Sequence, residues 1–215
     1  MFKAMLKKEC VELAAPFLLA VASLVVLVGD AVIDSSRHLH AQGNWMLDDD
    51  FVYPFLMISL VLAAIMGLVQ SLSEDVQGTW RYVLALPGGW RRILTLKIGV
   101  GVVVWLCWGA VSAAISGLGI LADVGPAGES WFRLNDPMLR ILVCVPVVYC
   151  GAFLAGLRRA NWFFSRLAPG IGVMLCWFIL PYLPQWWIVA PLVTAGFAAL
   201  LISVMFHEAS HRDFA

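Results

Sequence analysis

The chain has 215 residues, of which 62% are hydrophobic and 13% are charged, with a formal net charge of zero at pH 7. A soluble globular domain carries roughly 25% charged residues, so this composition excludes an ordinary soluble enzyme or nucleic-acid-binding domain. It predicts an all-α integral membrane protein that forms one transmembrane domain over residues 1–215.

The first thirteen residues form an amphipathic, charged start to the chain. Lys3, Lys7, Lys8 and Glu9 alternate there with apolar residues ahead of the first long hydrophobic run. This pattern predicts a short interfacial helix over residues 1–13 that lies against the membrane surface.

Six hydrophobic runs follow, each close to the roughly 20 residues that a helix needs to cross the ~30 Å hydrocarbon core. The predicted spans are residues 14–33, 51–71, 93–122, 138–157, 167–184 and 187–206. Eleven of the fourteen Lys and Arg residues fall on alternate connections, beginning with the one at the N-terminus. Because basic residues accumulate on the cytoplasmic side, both termini are predicted to be cytoplasmic.

Residues 73–90 form a charged, turn-rich segment between the second and third predicted spans. Ser71 or Ser73 is predicted to cap a short helix, with Glu74 near the positive end of its dipole. Trp80, Val83 and Leu84 then share one face at helical spacing, and Pro87 ends the helix. From this pattern alone, a helix resting on lipid headgroups and a helix presented to a partner protein remain open alternatives.

The same segment resembles the connection between the second and third spans of ABC-2 type permeases, the membrane subunits of bacterial ABC exporters. The resemblance rests on Glu74, Gly78, Thr79, Leu86, Pro87, Arg92 and Lys97, together with the N-terminal amphipathic start and the six spans. Gly88, Gly89 and Trp90 depart from the family pattern. The resemblance implies that residues 1–13 are an interfacial elbow helix and that residues 73–90 hold a cytoplasmic coupling helix.

In that family the coupling helix docks on a separate ATP-binding subunit. The implied docking residues are Glu74, Gly78, Thr79, Trp80, Val83, Leu84, Leu86, Pro87, Arg91 and Arg92. The chain has no phosphate-binding loop of the GxxxxGK[ST] type, so ATP and Mg²⁺ are expected on the partner. The resemblance thus implies a permease that is not itself an enzyme. It would act with an ATPase and a second permease chain, in a bacterial inner membrane, on an exported substrate.

Two features inside the predicted spans bear on packing and on the substrate. Gly109, Ala113 and Gly117 recur every fourth residue in the third span, which predicts a close helix–helix approach. Gly67 and Gly156 are expected to act in the same way. Ionisable residues such as Lys97 fall near span ends rather than at mid-depth, which disfavours an ion pathway and favours an amphipathic or hydrophobic substrate.

The C-terminus carries His207, Glu208 and His211 in the HExxH pattern of zinc proteases. Catalytic zinc needs a third protein ligand in an enclosed site, and only four residues follow the motif. We therefore interpret these residues as a solvated helix end and expect no metal or cofactor on the chain. A membrane zinc protease and a non-catalytic scaffold or immunity-type protein remain the alternatives to a transport subunit.

Overall fold

The computed structural model describes residues 2–37, 49–76, 89–122, 136–157 and 186–210, and all of these are helical. In chain order the helices are α1 (Phe2–Arg37), α2 (Asp49–Val76), α3 (Gly89–Ala122), α4 (Asp136–Leu157) and α5 (Trp186–Ser210). The all-α prediction is confirmed for this part of the chain.

Four of the described helices are long and apolar enough to cross a membrane. Their spanning segments are Leu6–Asp30, Phe51–Leu72, Arg91–Ala114 and Pro191–Ser210, at the first, second, third and sixth predicted spans. At the fourth predicted span, α4 has a shorter apolar segment, Ile141–Leu157. The fifth predicted span, residues 167–184, lies outside the described residues. Length and composition therefore make the chain a multi-pass membrane protein.

Large apolar side chains cover much of the outer surface of the helices. Leu19 and Val26 of α1 are 70% and 72% exposed, and Leu192 of α5 is 69% exposed. Soluble monomers rarely expose contiguous apolar surface of this kind, whereas lipid chains solvate it without cost. The outer surface therefore agrees with a membrane environment.

The first helix has no break between the predicted interfacial helix and the predicted first span. Residues 2–37 form one continuous helix that passes through Pro16. The reason is tertiary packing, because Glu9 and Leu13 are each only 1% exposed and face the neighbouring helices. The residues expected to form a separate elbow helix are thus the first turns of α1.

The most extensive helix–helix interface joins α2 to α4, while α5 packs on α4 and α1 packs on α2 and α3. A Cβ atom placed on Gly67 would lie 2.5 Å from the carbonyl oxygen of Tyr149 and 2.7 Å from the amide nitrogen of Phe153. One turn further along both helices, a Cβ atom on Gly156 would overlap Ser71. The two helices therefore run in the same direction and approach each other at small residues.

Aromatic side chains join α1, α2 and α3 in the core. Trp108 is 1% exposed and donates a hydrogen bond from Nε1 to Ser59 Oγ at 3.1 Å. Its ring stacks on Phe55, with centroids 6.1 Å apart, and meets Phe17 edge-on at 6.4 Å. These contacts satisfy the one polar atom of the indole ring and position the three helices around it.

Candidate functional site

An ion pair between α1 and α3 lies in the interior of the helix bundle. Lys97 Nζ donates a hydrogen bond to Glu9 Oε1 at 2.5 Å. The two side chains are 0% and 1% exposed. A buried charge in lipid or protein is costly unless it is paired, so the contact between the two groups offsets part of the cost of burying them.

Gln70 of α2 connects this ion pair to the second helix. Its Nε2 donates to Glu9 Oε2 at 3.1 Å, and its main-chain carbonyl oxygen accepts a hydrogen bond from Lys97 Nζ at 2.9 Å. Gln70 is itself fully buried. Both carboxylate oxygens of Glu9 therefore have a donor, one from each of two helices.

Tyr149 of α4 completes the cluster. Its hydroxyl lies 2.5 Å from Gln70 Oε1 and 3.2 Å from the main-chain oxygen of Lys97, two acceptors for the single phenolic proton. Glycines make room for this side chain, because a Cβ atom on Gly101 of α3 would overlap the phenol ring and Gly67 of α2 contacts its backbone. We refer to Glu9, Gln70, Lys97 and Tyr149 as the polar cluster.

The polar cluster lies near one end of the bundle. Glu9 and Lys97 follow the starts of α1 and α3, and Gln70 and Tyr149 precede the ends of α2 and α4, in each case by about two turns, or ~9–12 Å. Hence α1 and α3 run away from this end, and α2 and α4 run towards it. This alternation is what the distribution of basic residues predicts, with the start of α1 and the connection between α2 and α3 on the same side.

Exposed basic side chains lie at the same end of the bundle. Lys3 and Lys7 on α1 and Arg91 and Arg92 on α3 are all exposed. Lys8 lies 3.8 Å from Glu12, one turn further along α1. A cationic rim at this depth is suited to phosphate groups of lipids or to an acidic protein surface.

The structure corrects the helix start predicted ahead of the coupling segment. α2 continues to Val76, and Ser71 Oγ bonds back to the carbonyl oxygen of Gly67 at 2.8 Å within that helix. Ser71 therefore does not cap a new helix, because its hydroxyl already satisfies a turn of α2. Glu74 belongs to the last turn of α2, and α3 begins at Gly89.

The predicted docking residues fall partly inside the described chain. Arg91 and Arg92 are exposed in the first turns of α3. The remaining predicted docking residues after Glu74 lie outside the described residues, namely Gly78, Thr79, Trp80, Val83, Leu84, Leu86 and Pro87. Their role stays a prediction.

Gly109, the one residue of the predicted packing repeat on α3 for which a neighbour distance is described, makes no close helix approach. A Cβ atom on Gly109 would lie 3.9 Å from Leu142 Cδ1, which is an ordinary van der Waals contact. Ala113 is partly buried, and the surroundings of Gly117 are not described. The close approaches occur instead at Gly67 and Gly156, as their small size predicts.

The residues of the HExxH pattern lie at the end of α5. His207 is exposed and Glu208 is partly buried in the last turns of that helix, while His211 lies outside the described residues. Within the described helices, no group of three His, Cys, Asp or Glu side chains is arranged to hold a metal ion. The described structure thus offers no additional ligand for this motif.

Sequence reasoning missed the polar cluster as a unit, although it noted Lys97. The available signal was that Gln70 and Lys97 each lie in a predicted span near its predicted cytoplasmic end, with Glu9 shortly before the first span. No family model, curated protein or solved structure matches the chain. The polar cluster and the segment beside it are therefore the features from which a function has to be argued.

Proposed function

We propose that this chain is the membrane-spanning subunit of an ABC-type exporter and that residues 73–90 are the surface on which a separate ATPase subunit docks. The observation that supports this most directly is the polar cluster. It joins the end of α2 to the start of α3, the two helices that border residues 77–88. A partner bound between α2 and α3 would act on helices that the polar cluster connects near that end of the bundle.

The charge pattern near this segment also favours a protein partner at the membrane surface. Arg91 and Arg92 are exposed next to it, and Glu74 and Asp75 end α2 on its other side. In the sequence, charged residues of both signs flank the stretch that holds Trp80, Val83 and Leu84, a composition typical of a protein interface. Acidic residues in this stretch of sequence offer no gain to a helix that only rests on anionic lipid headgroups.

ATP hydrolysis is assigned to the partner because the chain lacks a phosphate-binding loop. In this proposal ATP and Mg²⁺ bind between two ATPase subunits, and two copies of the present chain, or one copy and a related permease, enclose the pathway. The outer faces of the described helices are apolar. The substrate in this proposal is an amphipathic or hydrophobic molecule, exported across a bacterial inner membrane.

The test is affinity purification of the tagged chain from membranes of its native host in mild detergent. We expect an ATP-binding cassette ATPase to co-purify, identified by mass spectrometry, and the purified complex to hydrolyse ATP. Trp80→Ala and Glu74→Arg should reduce the ATPase recovered per mole of permease about tenfold, the size expected for the loss of one interface anchor.

Matched controls are available in the connection predicted to face the other side of the membrane. Trp131→Ala and Glu129→Arg make the same chemical changes there and should leave ATPase recovery unchanged. Absence of any ATPase from the wild-type preparation, or equal recovery in both docking variants, would contradict the proposal and favour a scaffold protein.

A further inference from the structure

We propose that the polar cluster is a mechanical joint that passes displacement of residues 77–88 to α1 and to α4. This inference rests on the proposed function for the source of the displacement. The joint itself is formed by the described helices, so it can be tested without the ATPase partner.

The cluster connects main chains as well as side chains. Lys97 Nζ bonds to the carbonyl oxygen of Gln70, and the Tyr149 hydroxyl lies within 3.2 Å of the carbonyl oxygen of Lys97. A side chain that binds a neighbouring backbone restrains the axis of that helix, whereas a pair of flexible side chains can move without it. The cluster thus restrains the positions of α2, α3 and α4 directly.

The ion pair makes it costly to separate α1 from α3. Glu9 and Lys97 are excluded from solvent, so parting them would leave two uncompensated charges inside an apolar bundle. Water is not at hand to replace the lost partner at this depth, which makes the ion pair far stiffer than an exposed one. When the start of α3 moves, the first turns of α1 are therefore forced to follow.

The cluster lies close to the helix ends that border residues 77–88 and also includes residues of α1 and α4. Gln70 and Lys97 lie within about two turns of the helix ends that border residues 77–88, so a displacement there acts on the cluster over a short distance. Beyond the cluster, α1 continues from Glu9 to Arg37, and α5 packs on α4. Movement at one end of the bundle is passed on by rigid helices.

The variant that tests the joint is Glu9→Leu/Lys97→Met. Removing one charge alone would leave the other buried and unpaired, and loss of folding would then hide any mechanical effect. Removing both charges together replaces the ion pair with apolar side chains of similar length, so the bundle is expected to fold without the ionic connection.

The first measurement needs no partner. Pairs of spin labels are attached to cysteines introduced at exposed positions, in protein in which Cys10, Cys107 and Cys176 are replaced by Ser, and distance distributions are recorded in nanodiscs. One pair, at Lys7 and Arg92, reports on α1 and α3 near the cluster. The other pair, at Val26 and Ala114, reports on the same two helices towards their opposite ends, about five turns further along α1 and about six turns further along α3.

We expect the Lys7–Arg92 distribution to become about twofold broader in the double variant, while the Val26–Ala114 distribution is unchanged, because only the local restraint is removed. A Lys7–Arg92 distribution of equal width in the double variant and the wild type would contradict the proposed joint. Broadening of both pairs would also overturn it, since that result would describe general loosening of the bundle.

The second measurement uses the ATPase that co-purifies with the wild-type chain. ATP with vanadate is expected to leave the Val26–Ala114 distance nearly unchanged in the wild-type complex, because the joint carries α1 along with α3. The same treatment should change that distance in the double variant, with ATPase recovery equal in the two. Equal shifts would overturn the joint and leave the proposed function standing. If no ATPase co-purifies with the wild-type chain, the proposed function fails. The widths of the distance distributions in the first measurement then test the joint by themselves.

Discussion

The carboxylate of Glu9 and the ammonium group of Lys97 lie 2.5 Å apart although 88 positions separate them in the chain, and neither side chain reaches solvent. This contact explains why the N-terminal turns of α1 belong to the helix bundle rather than to the membrane surface. It also places the start of α1 and the start of α3 at the same end of the protein.

Removing one partner of this ion pair should be far more damaging than removing both. We expect Lys97→Met to lower the free energy of unfolding by about 3–5 kcal/mol, because it leaves Glu9 charged and buried without a cation. Glu9→Leu/Lys97→Met should recover most of that loss. Unfolding in mixed detergent micelles measures both, with the exposed Lys7→Met as the matched control that should change little. A double variant as unstable as the single one would contradict this account.

The close contact between Gly101 and the Tyr149 ring predicts different outcomes for alanine substitutions at two glycines of α3. Gly101→Ala should destabilise the protein by about 1–3 kcal/mol, since the new methyl group would overlap the Tyr149 ring. Gly99→Ala meets nothing within 4 Å and should be neutral or slightly stabilising. Thermal unfolding of the two variants makes the comparison. Replacing the ring with a smaller side chain, in Gly101→Ala/Tyr149→Leu, should reduce the loss of stability that Gly101→Ala causes. An unchanged loss in the Tyr149→Leu background would show that the ring is not the obstacle.

The α2–α4 interface predicts which overlaps can be relieved. Gly156→Ala brings a methyl group against the Ser71 side chain, so Ser71→Gly should rescue its stability. Gly67→Ala meets main-chain atoms of Tyr149 and Phe153, which no side-chain change removes, and its loss of about 1–3 kcal/mol should persist in the Ser71→Gly background.

Gly196→Ala, in open space on α5, is the control for the effect of an added methyl group alone. Rescue of both interface variants by Ser71→Gly, or of neither, would be inconsistent with the two overlaps described.

The common end of α1 and α3 can be tested by labelling with a maleimide that does not cross membranes. In protein whose native Cys10, Cys107 and Cys176 are replaced by Ser, we expect Lys3→Cys and Arg92→Cys to react only after spheroplasts are lysed. Gly43→Cys, in the connection between α1 and α2, should react in intact spheroplasts.

Reaction of Lys3→Cys and Arg92→Cys from opposite sides would be incompatible with the Glu9–Lys97 contact. Reaction of both in intact spheroplasts would keep that contact but reverse the orientation inferred from the basic residues.

The membrane character of the chain and the positions of its described helices could be predicted from sequence. The apolar runs of α2 and α3 are local properties, and a run of about 20 apolar residues has one stable solution in lipid. The predicted spans 51–71 and 93–122 accordingly lie inside Asp49–Val76 and Gly89–Ala122. The small size of Gly67 and Gly156 likewise indicated close packing before any partner was known.

The helix boundary near Ser71 could not be predicted in the same way. Ser, Glu and Asp in succession are typical of a helix start, and sequence alone offers no reason against one. In the structure the hydroxyl of Ser71 bonds within α2 and its side chain packs against Gly156, so the helix continues to Val76. A contact with another helix thus outweighed the local preference.

What the sequence by itself determined is that this chain spans a membrane with helices and which end of each helix carries positive charge, since length, apolarity and charge are read locally. Only the tertiary structure decided that Glu9, Gln70, Lys97 and Tyr149 meet. A polar residue near the end of a span looks the same in sequence whether it faces headgroups or a neighbouring helix. The choice depends on partners 27 to 88 positions away, brought within hydrogen-bonding distance when the helices pack.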